Sequence, residues 1–286
     1  MTMDAIQLLL CTNGHPGTLP SLEMGVRLAA ALHARVTLLG ILEKESARKA
    51  LDACLAETTA GLQQEGLENQ VWREAGKAAE VISRCAQGGH YLTVAGPMGR
   101  SALRRVIHGR SFRRLLAMIE SPILYVPVLR WPVQRMLVCL GGLGYATGIE
   151  HLSLSLAKVL KAQVTVMHVV EPVTLDYPTS RQVHDHWQDI LKTDTPQGKN
   201  LRLAMHELES AGIEAEFRVR HGSIIHEVLD EIKDQSYQMV GMGSQYSTHS
   251  LRHLYLQNVT AEVAEVANCP ILTARPGYDL IPLMGA

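Results

Sequence analysis

The strongest constraint on this chain is that its second half repeats the order of its first. Gln7-Leu-Leu-Leu-Cys11 is echoed by Arg135-Met-Leu-Val-Cys139, and Val36-Thr-Leu-Leu-Gly-Ile-Leu42 by Val164-Thr-Val-Met-His-Val-Val170, each 128 residues later. Further on, Glu80-Val-Ile82 answers to Glu227-Val-Leu229 and Leu92-Thr-Val-Ala-Gly96 to Met239-Val-Gly-Met-Gly243 at an offset of 147, and Ser121-Pro-Ile-Leu124 to Cys269-Pro-Ile-Leu272 at 148. The offset grows between the second strand and the third helix, so the second copy carries an insertion, which takes up much of residues 171–200. Repetition at this scale is the signature of a duplicated structural unit.

Each copy alternates short Val/Leu/Ile-rich runs with amphipathic segments. The short runs are apolar on both faces, as strands are when helices cover both sides of a parallel sheet. Leu22-x-x-Gly-Val-Arg-Leu-Ala-Ala-Ala-Leu32 and Leu152-Ser-Leu-Ser-Leu-Ala-Lys-Val-Leu160 have the spacing of helices that lay one face on such a sheet. The expected fold class is α/β: two tandem doubly wound, five-stranded parallel-sheet domains of Rossmann-like form. The two prolines of Pro127-Val-Leu-Arg-Trp-Pro132 read as a short stiff linker, which places the domains at residues 1–130 and 131–286.

Charge and cysteine content narrow the function classes. With 27 Lys+Arg against 28 Asp+Glu the formal charge is −1, so no global field draws the chain to nucleic acid or to an anionic membrane. The five cysteines are scattered and odd in number, with no CxxC pair, and read as buried reduced thiols. No apolar run approaches the ~18 residues that span a bilayer. The amino terminus lacks the basic start of a secretory signal, and the expected location is the cytoplasm.

A ligand site in an open parallel sheet forms beyond the carboxyl ends of the strands, where a loop feeds a helix N-terminus. Gly96-Pro-Met-Gly99, Gly109, Arg110 and Ser111 occupy that place after the fourth strand of the first copy. Glycines there either let backbone N–H groups approach phosphate oxygens or merely turn a strand into a helix. The spacing Gly96-x2-Gly99-x9-Gly109, with Ser111 following, resembles that of nucleotide-binding members of the universal stress protein family, and the resemblance covers essentially the whole chain, twice.

That resemblance implies an adenine-nucleotide alpha-hydrolase-like fold. It also implies a site made of Asn13 at the end of strand one, Ile41 at the end of strand two, Gly96 at the first glycine, and Gly99, Gly109, Arg110 and Ser111 around the phosphates. The family's usual Asp is Asn13 here, which keeps hydrogen-bonding ability and loses the charge. Arg110 replaces a small hydroxyl residue, and its guanidinium either pairs with phosphate or fills the pocket. In the second copy only Gly243 is kept: Tyr246 stands at the second glycine, Gln257-Asn258 at the third, and strand one ends in Gly141-Gly142. That copy is not expected to bind ATP in the family's way.

The resemblance further implies that the two copies associate through their fifth strands, with oligomers of the tandem unit also open. The expected function is a stress-response protein that binds ATP or a related adenine nucleotide, with or without magnesium, as a regulatory ligand in the first copy. A sensing or interaction protein of the same fold, acting on an unknown protein partner or another small ligand, is the alternative. Catalysis fits poorly. There is no Walker lysine within residues 96–111, no G-x-S-x-G elbow and no H-E-x-x-H, so a slow ATPase is the most that is expected. His184-Asp-His186-Trp-Gln-Asp189 reads as an exposed segment sooner than a metal site, and His221 and His226 as satisfied or exposed histidines sooner than lining of a modified pocket. Arg100, Arg104, Arg105, Arg110, Arg113 and Arg114 read as a solvated face paired with carboxylates, since only Phe112 interleaves them.

Overall fold

The apolar runs become strands, and the computed structural model describes them within residues 7–87, 91–98, 111–141, 147–171, 187–243 and 259–275. The first repeat contains β1 (Gln7–Thr12), α1 (Leu19–Leu32), β2 (Arg35–Leu42), α2 (Arg48–Gln64), β3 (Asn69–Ala75), α3 (Ala78–Gln87), β4 (Tyr91–Ala95), α4 (Ser111–Met118) and β5 (Ile123–Tyr125). The second contains β6 (Arg135–Cys139), α5 (Thr147–Leu160), β7 (Gln163–Val170), α6 (Pro196–Ser210), β8 (Ala215–His221), α7 (Ile224–Asp234), β9 (Met239–Gly243), α8 (Val259–Val266) and β10 (Ile271–Ala274). None of the helices among the described residues is long and apolar enough to cross a membrane.

All ten strands form one sheet in the order β3-β2-β1-β4-β5-β10-β9-β6-β7-β8. Within each repeat every pairing is parallel, and the ladders are equivalent. Leu8 pairs with Val36 and Leu92, and Met136 with Val164 and Met239. The repeats meet through their fifth strands, as the resemblance implied: β5 and β10 pair antiparallel, with Leu124 opposite Leu272.

Helices cover both faces, and two cores run unbroken across the repeats. One holds Leu8, Leu10, Leu28 and Leu55 with Leu152, Leu156 and Leu201, under α1, α2, α5 and α6. The other holds Leu9, Ile41, Ile82 and Phe112 with Val228, Val240 and Val263, under α3, α4, α7 and α8. Strand β1 therefore has no solvent face, and Leu8, Leu9, Leu10 and Cys11 are fully buried. Both first helices end in a left-handed cap, His33 at φ 49° and Lys161 at φ 53°. Both second helices are followed by a glycine at positive φ, Gly66 at 67° and Gly212 at 73°, which a side chain would strain. The extra length of the second repeat lies between Val170 and Pro196. There a 3-10 segment, Trp187–Lys192, docks by burying Ile190 and by accepting Arg202 Nη1 at Leu191 O, 2.6 Å away.

The seam between repeats is held by side chains as well as by the ladder. Arg113 on α4 pairs with Glu262 on α8 at 3.0 Å, while Arg114 pairs with Glu80 at 2.7 Å. Arg275, just past β10, donates to Leu116 O and Ala117 O at 3.0 and 2.9 Å, satisfying carbonyls at the C-terminus of α4 in the other repeat. These two described arginines of the basic segment are thus paired with carboxylates, and Arg100, Arg104, Arg105 and Arg110 lie outside the described residues.

The second repeat has a polar knot under its outer edge. Glu231 on α7 has no exposed side-chain surface, and its carboxylate accepts from Arg218 Nη1 at 2.9 Å, Arg220 Nε at 2.8 Å and Tyr237 OH at 2.8 Å. A buried carboxylate satisfied this fully ties α7 to β8; removing it takes from Arg218 and Arg220 their one shared, fully buried partner, although Glu216 still faces Arg218 and Asp234 still faces Arg220. Glu231→Ala should lower the stability of the chain by about 3 kcal/mol, read as a drop in the urea midpoint at unchanged m-value.

Candidate functional site

The first residue beyond β1, Asn13, is buried, and its orientation is set by the backbone. Its Oδ1 accepts from the His15 N–H at 3.1 Å, which leaves Nδ2 to donate to Glu43 Oε2 at 2.9 Å. Glu43 is the first residue beyond β2, and its other oxygen accepts from the Ala78 N–H, at the start of α3, at 3.1 Å. A carboxylate is thus held across the carboxyl ends of β1 and β2, favoured by the positive end of the α3 dipole. Two of its roughly four acceptor positions are in use, which leaves room for donors from a ligand. Sequence reasoning missed Glu43 because it looked for the acid at the end of β1. An acid directly after strand two, beside an amide directly after strand one, was the available signal.

The loop after β1 is rigid. Thr12 Oγ1 accepts from the Gly14 N–H and lies 2.7 Å from Thr18 Oγ1, and His15 Nδ1 accepts from the Gly17 N–H. Gly14 has φ +76°, and a Cβ there would lie 2.5 Å from the Leu51 nitrogen. Across the switch point, where β1 and β4 lie side by side, a Cβ on Gly17 would lie 2.7 Å from Pro97 O, and one on Gly96 would lie 2.8 Å from Ser21 Oγ and 3.0 Å from Gly17 O. Packing of β4 against α1 therefore requires a glycine at 96 whether or not a ligand lies above it.

Of the other expected site residues, Ile41 is fully buried next to the last residue of β2, beneath the α3 side of the sheet. Ser111 opens α4. Gly99, Gly109 and Arg110 lie outside the described residues. The structure thus brings Asn13, Ile41 and Gly96 to one end of the first half-sheet and adds Glu43 to them.

A family model described as the universal stress protein family matches residues 132–275. The chain belongs to that family. The match falls on the second repeat, whose glycine motif is eroded, and the first repeat presents the same strand order and ladder registers. A universal stress protein from Archaeoglobus fulgidus DSM 4304 superposes with a TM-score of 0.72, covering 97% of this chain and 100% of its own at 16% identity. A Pseudomonas aeruginosa UCBPP-PA14 protein given the same family name superposes at 0.71, covering 96% and 95% at 16% identity. Such identities establish a shared fold. Among curated proteins none matches the chain in sequence.

In the second universal stress repeat the first strand ends differently, although Glu171 follows β7 as Glu43 follows β2. Gly141 faces open space, and a Cβ on Gly243 would make only ordinary contact with Ile149 at 3.6 Å. His168 stands where the first repeat has Gly40; it is buried, and its Nδ1 lies 2.7 Å from Leu140 O. His221 stacks on Trp187 with ring centroids 5.5 Å apart, and His226 is exposed. His184, His186, Tyr246 and Gln257-Asn258 lie outside the described residues, and among those described no group of three His, Cys, Asp or Glu side chains is arranged to hold a metal. All five cysteines are free thiols, and burial pushes Cys139 and Cys269 up to about 12, which removes them as nucleophiles at neutral pH.

Burial also holds the His168 imidazole below its ordinary pKa, against the raising effect of its bond to Leu140. The unfolded chain therefore takes up a proton that the folded one resists, so stability present above about pH 6.5 is lost as the pH falls below it. The urea midpoint should decline between pH 7 and pH 5, and His168→Gln, which keeps a donor for Leu140, should show a shallower decline. Equal slopes would mean that other groups set the acid limit.

Proposed function

We propose that this chain is a stress-response protein whose first repeat, residues 1–130, holds ATP or a related adenine nucleotide as a regulatory ligand. The second repeat, residues 131–286, is its covalently tethered pairing partner. The observation that carries this reading is the Asn13–Glu43 pair. It restores a carboxylate to a strand end where Asn13 alone has none, with acceptor positions left for ligand hydroxyl groups. The phosphates would lie toward Gly99, Gly109, Arg110 and the N-terminus of α4 at Ser111, where unpaired N–H groups favour anions. Magnesium, when present, would travel with the phosphates. The role is binding, with at most slow turnover, because residues 96–111 carry no Walker lysine.

The packing of Gly96 supports a second reading. Since that glycine is required by Ser21 and Gly17, its presence does not by itself call for a nucleotide, and a sensing or interaction protein of the same fold would keep it too.

Calorimetry on nucleotide-stripped protein, with and without magnesium, separates the two. The first reading expects one ATP per chain, and both Gly109→Val and Glu43→Gln should weaken binding about tenfold or more, a loss of at least ~1.4 kcal/mol. Absence of binding heat, or a Gly109→Val variant that binds as well as wild type, favours the second. Arg110→Ser tightens binding if the arginine obstructs and weakens it if the guanidinium pairs with phosphate.

A further inference from the structure

The duplication supplies an internal control for how the repeats hold each other. Helices α4 and α8 are 8 residues each and correspond at an offset of 148, the same offset that relates Leu124 to Leu272 in the ladder between β5 and β10. A helix this short is not stable by its own hydrogen bonds, so its place is set by what it packs against.

Inside its own repeat α4 has both apolar and polar holds. Phe112 is buried and stacks on Tyr125 with ring centroids 4.3 Å apart, Arg114 reaches Glu80 at 2.7 Å, and Ser83 Oγ donates to Met118 O at 2.8 Å. Two more holds come from the second repeat. Arg113, in the first turn, meets Glu262 of α8 at 3.0 Å, and Arg275 Nη2 donates to both Leu116 O and Ala117 O in the last turn.

These last two holds are not reciprocated at the matching positions. The counterpart of Arg275 is Pro127, which carries no donor to offer α8, and the counterpart of Arg113 is Ala261. The counterpart of Glu262 is Arg114, which pairs within its own repeat. The helix held from across the seam is the one that follows Gly96, Gly99 and Gly109, whereas α8 belongs to the copy that keeps only Gly243. Attraction of an anion to a helix N-terminus falls off within the first turn, so it depends on where that turn sits. A helix fixed before the ligand arrives also spares the ligand the cost of ordering it.

We propose that Arg275 is a positioning residue for the phosphate end of the nucleotide: from the second repeat it fixes α4 so that the first turn, at Ser111, meets the phosphates. This inference rests on the nucleotide reading of the first repeat and gives the second repeat a share in binding that its own eroded motif does not supply. Arg275 acts without touching the phosphates. Its carbonyl partners stand five and six residues beyond Ser111, about 8 Å along the helix axis, where salt screens most of the direct effect of its charge.

The test is calorimetry on the full, nucleotide-stripped chain with ATP and with adenosine, in wild type, Arg275→Met and Arg275→Lys. Arg275→Met keeps an apolar stem and removes the donors, and it should weaken ATP about fivefold or more. Adenosine, which has no phosphate for α4 to meet, should behave alike in both proteins. Arg275→Lys, shorter but still a cationic donor, should lose less for ATP and nothing for adenosine, and it decides alone if Arg275→Met does not fold. ATP binding that the substitutions leave unchanged, or adenosine weakened as much as ATP, as a merely structural role would give, overturns this inference and leaves the nucleotide reading standing. A wild-type chain that binds no ATP overturns both.

Discussion

The antiparallel pairing of β5 with β10 is the interaction on which the rest of the structure depends. Each repeat alone would end in a short strand with unpaired N–H and C=O groups and a core open on one side. Joining them turns two five-stranded sheets into one of ten strands and merges the cores on both faces. Because the junction is antiparallel, the strands of one repeat run opposite to those of the other. Their carboxyl ends, and with them any ligand sites, lie at opposite ends of the sheet. Arg275 reaching the C-terminus of α4 and Arg113 reaching Glu262 hold that arrangement from the helical layer.

Much of this was legible in the sequence because strands buried on both faces leave little choice of residue. Gln7–Cys11 and Arg135–Cys139 had to be apolar runs, so their offset survived and predicted the ladder register. Features that depend on pairing across sequence were not legible. The link from Asn13 to Glu43 joins two strand ends, and the knot around Glu231 draws on Arg218 and Arg220, which read in β8 as ordinary alternating polar residues. The need for glycine at 96 was visible as a motif, but its packing against Ser21 and Gly17 appears only when β4 and α1 are brought together.

The two copies have spent their freedom differently. The first keeps dense packing beneath a rigid loop and places a held carboxylate at its strand ends. The second has a buried histidine, His168, where β2 has Gly40, a stack of His221 on Trp187 and a polar knot under its edge. Once β5 and β10 supply a shared core, one copy can lose a ligand motif without losing the fold, since the strand and helix on either side of it, β9 and α8, are both kept.

The most direct measurement is amide hydrogen exchange of the whole chain with and without saturating ATP. The account predicts added protection confined to the first repeat, at the ends of β1, β2 and β4 around Asn13, Glu43 and Gly96 and at the start of α4. Protection that appears instead at the ends of β6, β7 and β9, or no change anywhere in the first repeat, would contradict it.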